Sequence, residues 1–152
     1  MLTIRRATSD DIDQLVRLRL LLFEEAGELE QSQVEAMREA TRAYLTKSLP
    51  QETFLAWVVE SDRQIVATSG LVFFERAPVP KNLSGEEGYI LNMYTLPQWR
   101  GQGLATVLLQ EIIRFAKGTS IRRLWLHATE SGRPVYVKVG FIATSDEMEL
   151  TW

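Results

Sequence analysis

The sequence predicts a mixed α/β domain with hairpins, not a regular chain of βαβ units. Three observations carry that reading. Short β-rich runs recur along the chain, apolar residues at helical spacing separate some of them, and turn residues at 61–63 join two of them directly. The predicted order is β-α-α-β-β-β-α-β-α-β.

Leu2 to Arg6 is the first strand, with Leu2 and Ile4 on one side. Thr8 or Ser9 caps the next helix, and Thr8 with Asp11 resembles a capping box in which Asp replaces Glu. Ile12, Leu15, Val16, Leu18, Arg19 and Leu22 keep helical spacing, which places this helix over about 9–24. Gly27 loosens the connection. A second helix runs over 31–47, its stripe made by Val34, Met37, Ala40, Ala43 and Tyr44, before Pro50 stops the pattern. Residues 54–60 and 65–74 then form a hairpin about Ser61-Asp62-Arg63, with Gly70 marking close packing or an irregularity.

Residues 76–88 carry Pro78, Pro80, Asn82, Ser84 and Gly85, and read as a long exposed connection. The central strand spans 89–96 and ends at Pro97. Leu104, Val107, Leu108, Ile112 and Phe115 give the next helix one strongly apolar face, and Gly118 stops it. Residues 121–127 form another strand and 133–139 a short helix capped by Gly140. Met148 to Trp152 supplies the last strand.

At 152 residues the chain is one domain, 1–152, with a substantial core. Apolar residues are 45% and charged residues 24%, a soluble globular balance rather than a disordered or fibrous one. There is no Cys and one His, which excludes a disulfide framework, a thiol nucleophile and a multi-histidine metal centre, so no metal is expected. The net charge of −3 argues against a broad nucleic-acid or anionic-membrane footprint. No long apolar run predicts a membrane span, and residues 1–6 lack the apolar region of a secretory signal. The expectation is a cytoplasmic protein.

The sharpest feature is Gln98-Trp99-Arg100-Gly101-Gln102-Gly103-Leu104-Ala105, a glycine-rich turn from strand to helix. Two glycines remove Cβ crowding, so backbone N–H groups from Gly101 to Ala105 can converge on one oxyanion at the positive end of the helix. Arg100 and Arg133 can add charge-assisted contacts. A diphosphate suits this row of donors better than a lone carboxylate. The competing reading is a purely architectural turn. No Gly-Lys-Ser/Thr ending follows, so it is not a nucleotide-triphosphate loop, and its late position argues against a dinucleotide fingerprint.

These residues resemble the GCN5-related N-acetyltransferase (GNAT) superfamily. The hallmark Arg/Gln-x-x-Gly-x-Gly/Ala is filled by Gln98, Gly101 and Gly103, and the likeness continues to Phe115. It resumes at Leu124 to Ala128 and at Tyr136-Val137-Lys138-Val139-Gly140-Phe141. The resemblance implies a mostly antiparallel central sheet flanked by helices and splayed at the cofactor site. It also implies acetyl-CoA as cofactor, its pyrophosphate cradled by Arg100, Gly101, Gln102, Gly103, Leu104 and Ala105. Met93, Tyr94 and Thr95 would lie beside the pantetheine arm, the backbone of 92–94 pairing with it at an open sheet edge. Ser131 and Arg133 are further cofactor candidates, although Ser131 also suits a helix N-cap. A homodimer resembles common family practice.

Acetyl transfer needs a neutral amine, a positioned thioester and a stabilised thiolate. In the family's Tyr-x-x-x-Gly-Phe arrangement, Tyr136 is the candidate acid. Its competing role is packing, with the hydroxyl on the backbone. Glu86, Glu87 and His127 are candidate bases; the alternatives are a solvated acidic loop and a structural histidine. Asn is common in the family near His127, which makes His127 a departure. Glu24, Glu25 and Glu28 form an acidic cluster that either attracts a cationic acceptor or faces solvent. Asn92 either orients the acceptor or caps a bulge. The expected reaction is direct attack of a primary amine of a small molecule or protein on acetyl-CoA. The first two helices and the 76–88 loop are expected to shape the acceptor pocket. The alternatives are an acyl-CoA-binding regulatory module and a degenerate interaction scaffold.

Overall fold

The computed structural model describes residues 1–144 and 146–152. In chain order the elements are β1 (Leu2–Arg6), α1 (Ile12–Glu25), α2 (Val34–Ser48), β2 (Phe54–Ser61), β3 (Gln64–Glu75), β4 (Glu86–Thr95), α3 (Leu104–Lys117), β5 (Arg123–Trp125) and α4 (Arg133–Lys138). Short 3-10 turns at Ser9–Asp11 and Gln31–Gln33 lead into α1 and α2. The Thr8–Asp11 capping box forms as expected: the Thr8 N–H donates to Asp11 Oδ2 at 2.8 Å, and Thr8 Oγ1 accepts from the Asp10 N–H.

The five strands run in sheet order β1-β2-β3-β4-β5. The first four pair antiparallel, and β4 with β5 is parallel. Helices cover both faces. Phe54 and Trp57 lie three residues apart on β2, so their side chains leave opposite faces of the strand. Phe54 meets Tyr44 of α2 edge-on at 5.7 Å, while Trp57 meets Phe115 of α3 at 5.5 Å. Enclosure on both sides explains why β2 is buried almost throughout, as its nearly unbroken apolar run requires. On α3, Leu108, Leu109 and Ile112 are fully buried. Each contributes on the order of 2 kcal/mol of burial to the core.

Two departures from the sequence reading concern the C-terminal part. The strand expected over 121–127 is reduced to Arg123–Trp125, and its ladder with β4 ends at the pair Tyr89–Trp125. The expected strand at Met148–Trp152 does not form: these residues lie outside regular structure, with Met148, Leu150 and Trp152 fully or almost fully exposed. Alternating apolar character gives a segment a strand's face but not a partner, and without ladder hydrogen bonds it does not become one.

The connection before β4 is also more ordered than its composition suggests. The Arg76 N–H donates to the Gly85 carbonyl at 2.9 Å, and Val79 and Asn82 form an isolated bridge. Gly85 has φ +71, and a Cβ there would lie 2.1 Å from the Arg76 carbonyl oxygen. Glycine is required at that position.

Candidate active site

Two features of β4 create the site. The first is a bulge. Opposite β3 the register shifts between Thr68 and Gly70, and Asn92 takes a left-handed conformation, φ +57. Asn tolerates that region better than most residues. The bulge anticipated for Asn92 is therefore present. The second feature is the early end of β5: past Tyr89, β4 has no ladder partner on that side among the described residues. The backbone from Ile90 to Thr95 presents a sheet edge able to pair with an extended ligand.

The chain then passes through a 3-10 turn at Pro97–Trp99 and reaches the two glycines. Gly101 and Gly103 have φ +76 and +78, and a Cβ on either would meet nothing within 4 Å. The turn is open on its outer side. The first hydrogen bond of α3 runs from the Val107 N–H to the Gly103 carbonyl. The N–H groups from Gly101 to Thr106 thus have no carbonyl partner among the described residues. Six consecutive unpaired donors at the N-terminus of a long helix fit a diphosphate better than any purely architectural role requires.

Arg100 does not point into this cradle. Its Nε–H donates to the Thr95 carbonyl at 2.8 Å, and its guanidinium pairs with Glu25 at 2.7 Å. The Tyr94 hydroxyl donates to the other Glu25 oxygen at 2.6 Å. Those two hydrogen bonds hold the Glu25 carboxyl below its usual range. Burial, then the adjacent carboxylate, pushes the Tyr94 phenol up to about 12. Of the acidic cluster, Glu25 is thus committed to the site's framework, while Glu24 and Glu28 are exposed. Met93 is half-buried against the core, Leu104 is buried and Ala105 half-buried; Gln102 and Ser131 are exposed. Ser131 shares a hydrogen bond with Thr129, the residue before α4 is Gly132, and Arg133 reaches Glu130 rather than the turn.

Tyr136 lies on α4, packed edge-on against Phe141 at 6.0 Å. Its hydroxyl makes no hydrogen bond among the described residues, so the backbone-tied alternative is not what the fold adopts. Burial, then the nearby Tyr89, raises its phenol above the ordinary value. Tyr89 sits at the last β4–β5 pair. Its hydroxyl is 2.7 Å from His127 Nδ1, and His127 Nε2 is 2.7 Å from Glu147 Oε2. These contacts join His127 to Tyr89 on the central strand, a residue the sequence did not single out. Periodicity assigned Tyr89 only to a strand, and the contact spans 38 residues of sequence.

Glu86 and Glu87 lie at the other end of the strand. The buried Glu87 carboxylate is held by Arg76 at 3.2 Å and Arg123 at 3.1 Å, and Glu86 accepts from Ser120. From Gly85 to Asn92 the strand advances about 20 Å. The expected contribution of the 76–88 loop to the pocket is therefore missing: the cavity beside Asn92 is walled instead by α1, α2 and the sheet, including Leu18, Arg19, Leu45, Phe54 and Thr68. No group of three or more metal-ligating side chains occurs among the described residues.

The acetyltransferase (GNAT) family model matches residues 15–141, and the chain belongs to that family. Solved structures agree. A predicted acetyltransferase from Clostridium acetobutylicum, crystallised with acetyl-CoA, superposes with a TM-score of 0.91 at 34% identity, covering 99% of this chain and 96% of that one. A GCN5-related N-acetyltransferase from Ralstonia eutropha JMP134 gives 0.89 at 30% identity, covering 99% of both chains. Glucosamine-6-phosphate N-acetyltransferase from Arabidopsis thaliana gives 0.74 at 17% identity over 100% of this chain and 99% of that one, a likeness of fold. No curated protein matches the chain. The family read from the motifs, its sheet architecture and its acetyl-CoA chemistry are borne out. No helix among the described residues is long and apolar enough to cross a membrane.

Proposed function

We propose that this chain transfers the acetyl group of acetyl-CoA to a primary amine by direct attack, without a covalent enzyme intermediate. The observation that carries this reading is the adjacency of six unpaired amides, Gly101 to Thr106, to the open β4 edge from Ile90 to Thr95. A cofactor with a diphosphate and an extended amide-bearing arm matches both. Acetyl-CoA supplies an activated thioester carbonyl. The amides at the glycine turn bind the diphosphate, and the backbone of Asn92 to Tyr94 orients the arm at the bulge.

Tyr136 acts as the acid. Its raised phenol keeps its proton over the neutral range, and its hydroxyl has no competing partner among the described residues. It donates that proton to the sulfur as the C–S bond breaks and the N–C bond forms. The ammonium proton leaves towards Tyr89 and His127, whose 2.7 Å contact continues outward to Glu147. Glu87, clamped between Arg76 and Arg123, is assigned to the framework.

The experiment is release of free coenzyme A thiol from acetyl-CoA, followed over a panel of amines and coupled to mass detection of the acetylated product. Turnover dependent on a primary amine supports the proposal. Saturable acetyl-CoA binding with no turnover on any amine favours the regulatory-module alternative.

A further inference from the structure

The small cavity on the α1–α2 side of the bulge, with about 10 Å³ of free volume, is lined by an arginine that no carboxylate among the described residues neutralises. Arg19 is half-buried, lines this cavity, and lies over the Phe23 ring at 4.9 Å. Its guanidinium donates to the Asn92 side-chain oxygen, a neutral acceptor. It forms no ion pair with a carboxylate among the described residues. Other arginines that enter the fold do: Arg5 holds Asp11 and Glu60, Arg76 and Arg123 hold Glu87, and Arg100 holds Glu25. Arg17, Arg63 and Arg122 also lack such partners, but they are exposed. Removing a guanidinium from water without a counter-charge is costly, and an anion brought by a ligand offsets that cost.

The surroundings indicate which ligand. Tyr44 and Tyr89 are the other titratable groups that bear on Arg19. Tyr89 in turn bears on Tyr136. Through Asn92, Arg19 reaches the bulge of β4, beside the edge that opens after Tyr89. It does not belong to the diphosphate cradle, because Asn92 is three residues before the end of β4, about 10 Å along the strand. The acetyl thioester carries no charge, so the anion must come from the acceptor. A planar guanidinium presents a fork of donors that fits one carboxylate.

We propose that Arg19 is a specificity-determining residue that binds an oxyanion on the acceptor, so the substrate is a compact acidic amine, with an amino-acid carboxylate as the best fit. This rests on the acetyltransferase reading above.

The test compares acetylation of L-amino acids with that of their α-amides, and of O-phosphoethanolamine with that of ethanolamine, by the full chain. The wild type is expected to favour the acidic member of at least one pair, and which pair identifies the anion as carboxylate or phosphate. Arg19→Met should reduce the acid-to-neutral ratio in kcat/KM by about 10- to 100-fold, the usual range for losing a charge-assisted hydrogen bond. Arg19→Lys, which keeps the charge without the fork, should fall between the two and guards against misfolding of the methionine variant. Equal use of acidic and neutral members, a preference that survives Arg19→Met, or acetyl-CoA binding without acetylation of any acidic amine would each overturn the inference. Failure of the folded wild type to bind acetyl-CoA at all contradicts the underlying reading instead.

Discussion

The Tyr94 hydroxyl donates to Glu25 at 2.6 Å, tying the last turn of α1 to the end of β4. Arg100 takes the second Glu25 oxygen and lies over the Tyr94 ring at 5.4 Å. Helix, central strand and glycine turn are thereby fastened at one point. The turn that carries the unpaired amides is fixed to the sheet through side chains from three separate segments.

This cluster predicts a pH signature. The Tyr94 phenol is raised from 10.0 to about 12, so the folded state favours its proton. Its stabilising contribution is complete below 10 and is lost as pH rises towards 12. Glu25 has the opposite sign. Its carboxyl is held below 4.5, so its contribution is present above that value and fades as pH falls through the lowered one. Glu25 is largely exposed, which makes this acid limb shallow and salt-sensitive. Thermal melts across pH should show both limbs in the wild type, and Glu25→Gln should flatten the acid one. An acid limb unchanged in Glu25→Gln counts against the assignment.

Gly103→Val should weaken acetyl-CoA binding. Valine at φ +78 strains the backbone by about 1–2 kcal/mol and turns amides away from the diphosphate. The expected loss is about 10- to 100-fold in affinity, as for removing a hydrogen bond to a charged group. Calorimetric titration of the folded variant checks this, and undiminished affinity would move the cradle elsewhere.

Tyr136→Phe should lower kcat by about 100-fold or more, the usual effect of losing a general acid, with little change in acetyl-CoA affinity. Its ring contact with Phe141 needs no hydroxyl, so the fold should persist. Single-turnover rates with an accepted amine decide the matter; unchanged rates remove Tyr136 from the chemistry.

Arg5→Ala tests the frame at the other end of the sheet. Arg5 holds the buried Asp11 through paired contacts at 2.8 Å and also reaches Glu60. Its loss strands the Asp11 carboxylate and should cost about 1–3 kcal/mol in urea unfolding. Arg5 chiefly holds Asp11 ionised and below its ordinary value, so stability in the wild type should fall as pH drops through that lowered value. A flat acid response would contradict this.

Local signals were the ones the sequence carried. The Thr8–Asp11 box and the Gly101–Gly103 turn depend on residues within a few positions, and each forms as read. Asn92 stood out as a polar residue in an apolar strand, and the bulge explains it. What failed to show depends on distant partners. Arg19 was absorbed into the helical spacing of α1, because its importance lies in the carboxylate it lacks. Glu87 read as a candidate base or as part of a solvated acidic loop, and neither reading could show that Arg76 and Arg123 close on it from other segments. The segment Met148–Trp152 has a strand's alternation but pairs with no strand among the described residues.

The most direct test of the central claim is calorimetric titration of the purified chain with acetyl-CoA, with free coenzyme A and ATP as controls. Six unpaired amides beside an open β4 edge predict saturable binding of both coenzyme A compounds and much weaker binding of ATP. A well-folded protein that binds neither coenzyme A compound, or binds ATP equally well, would contradict the account.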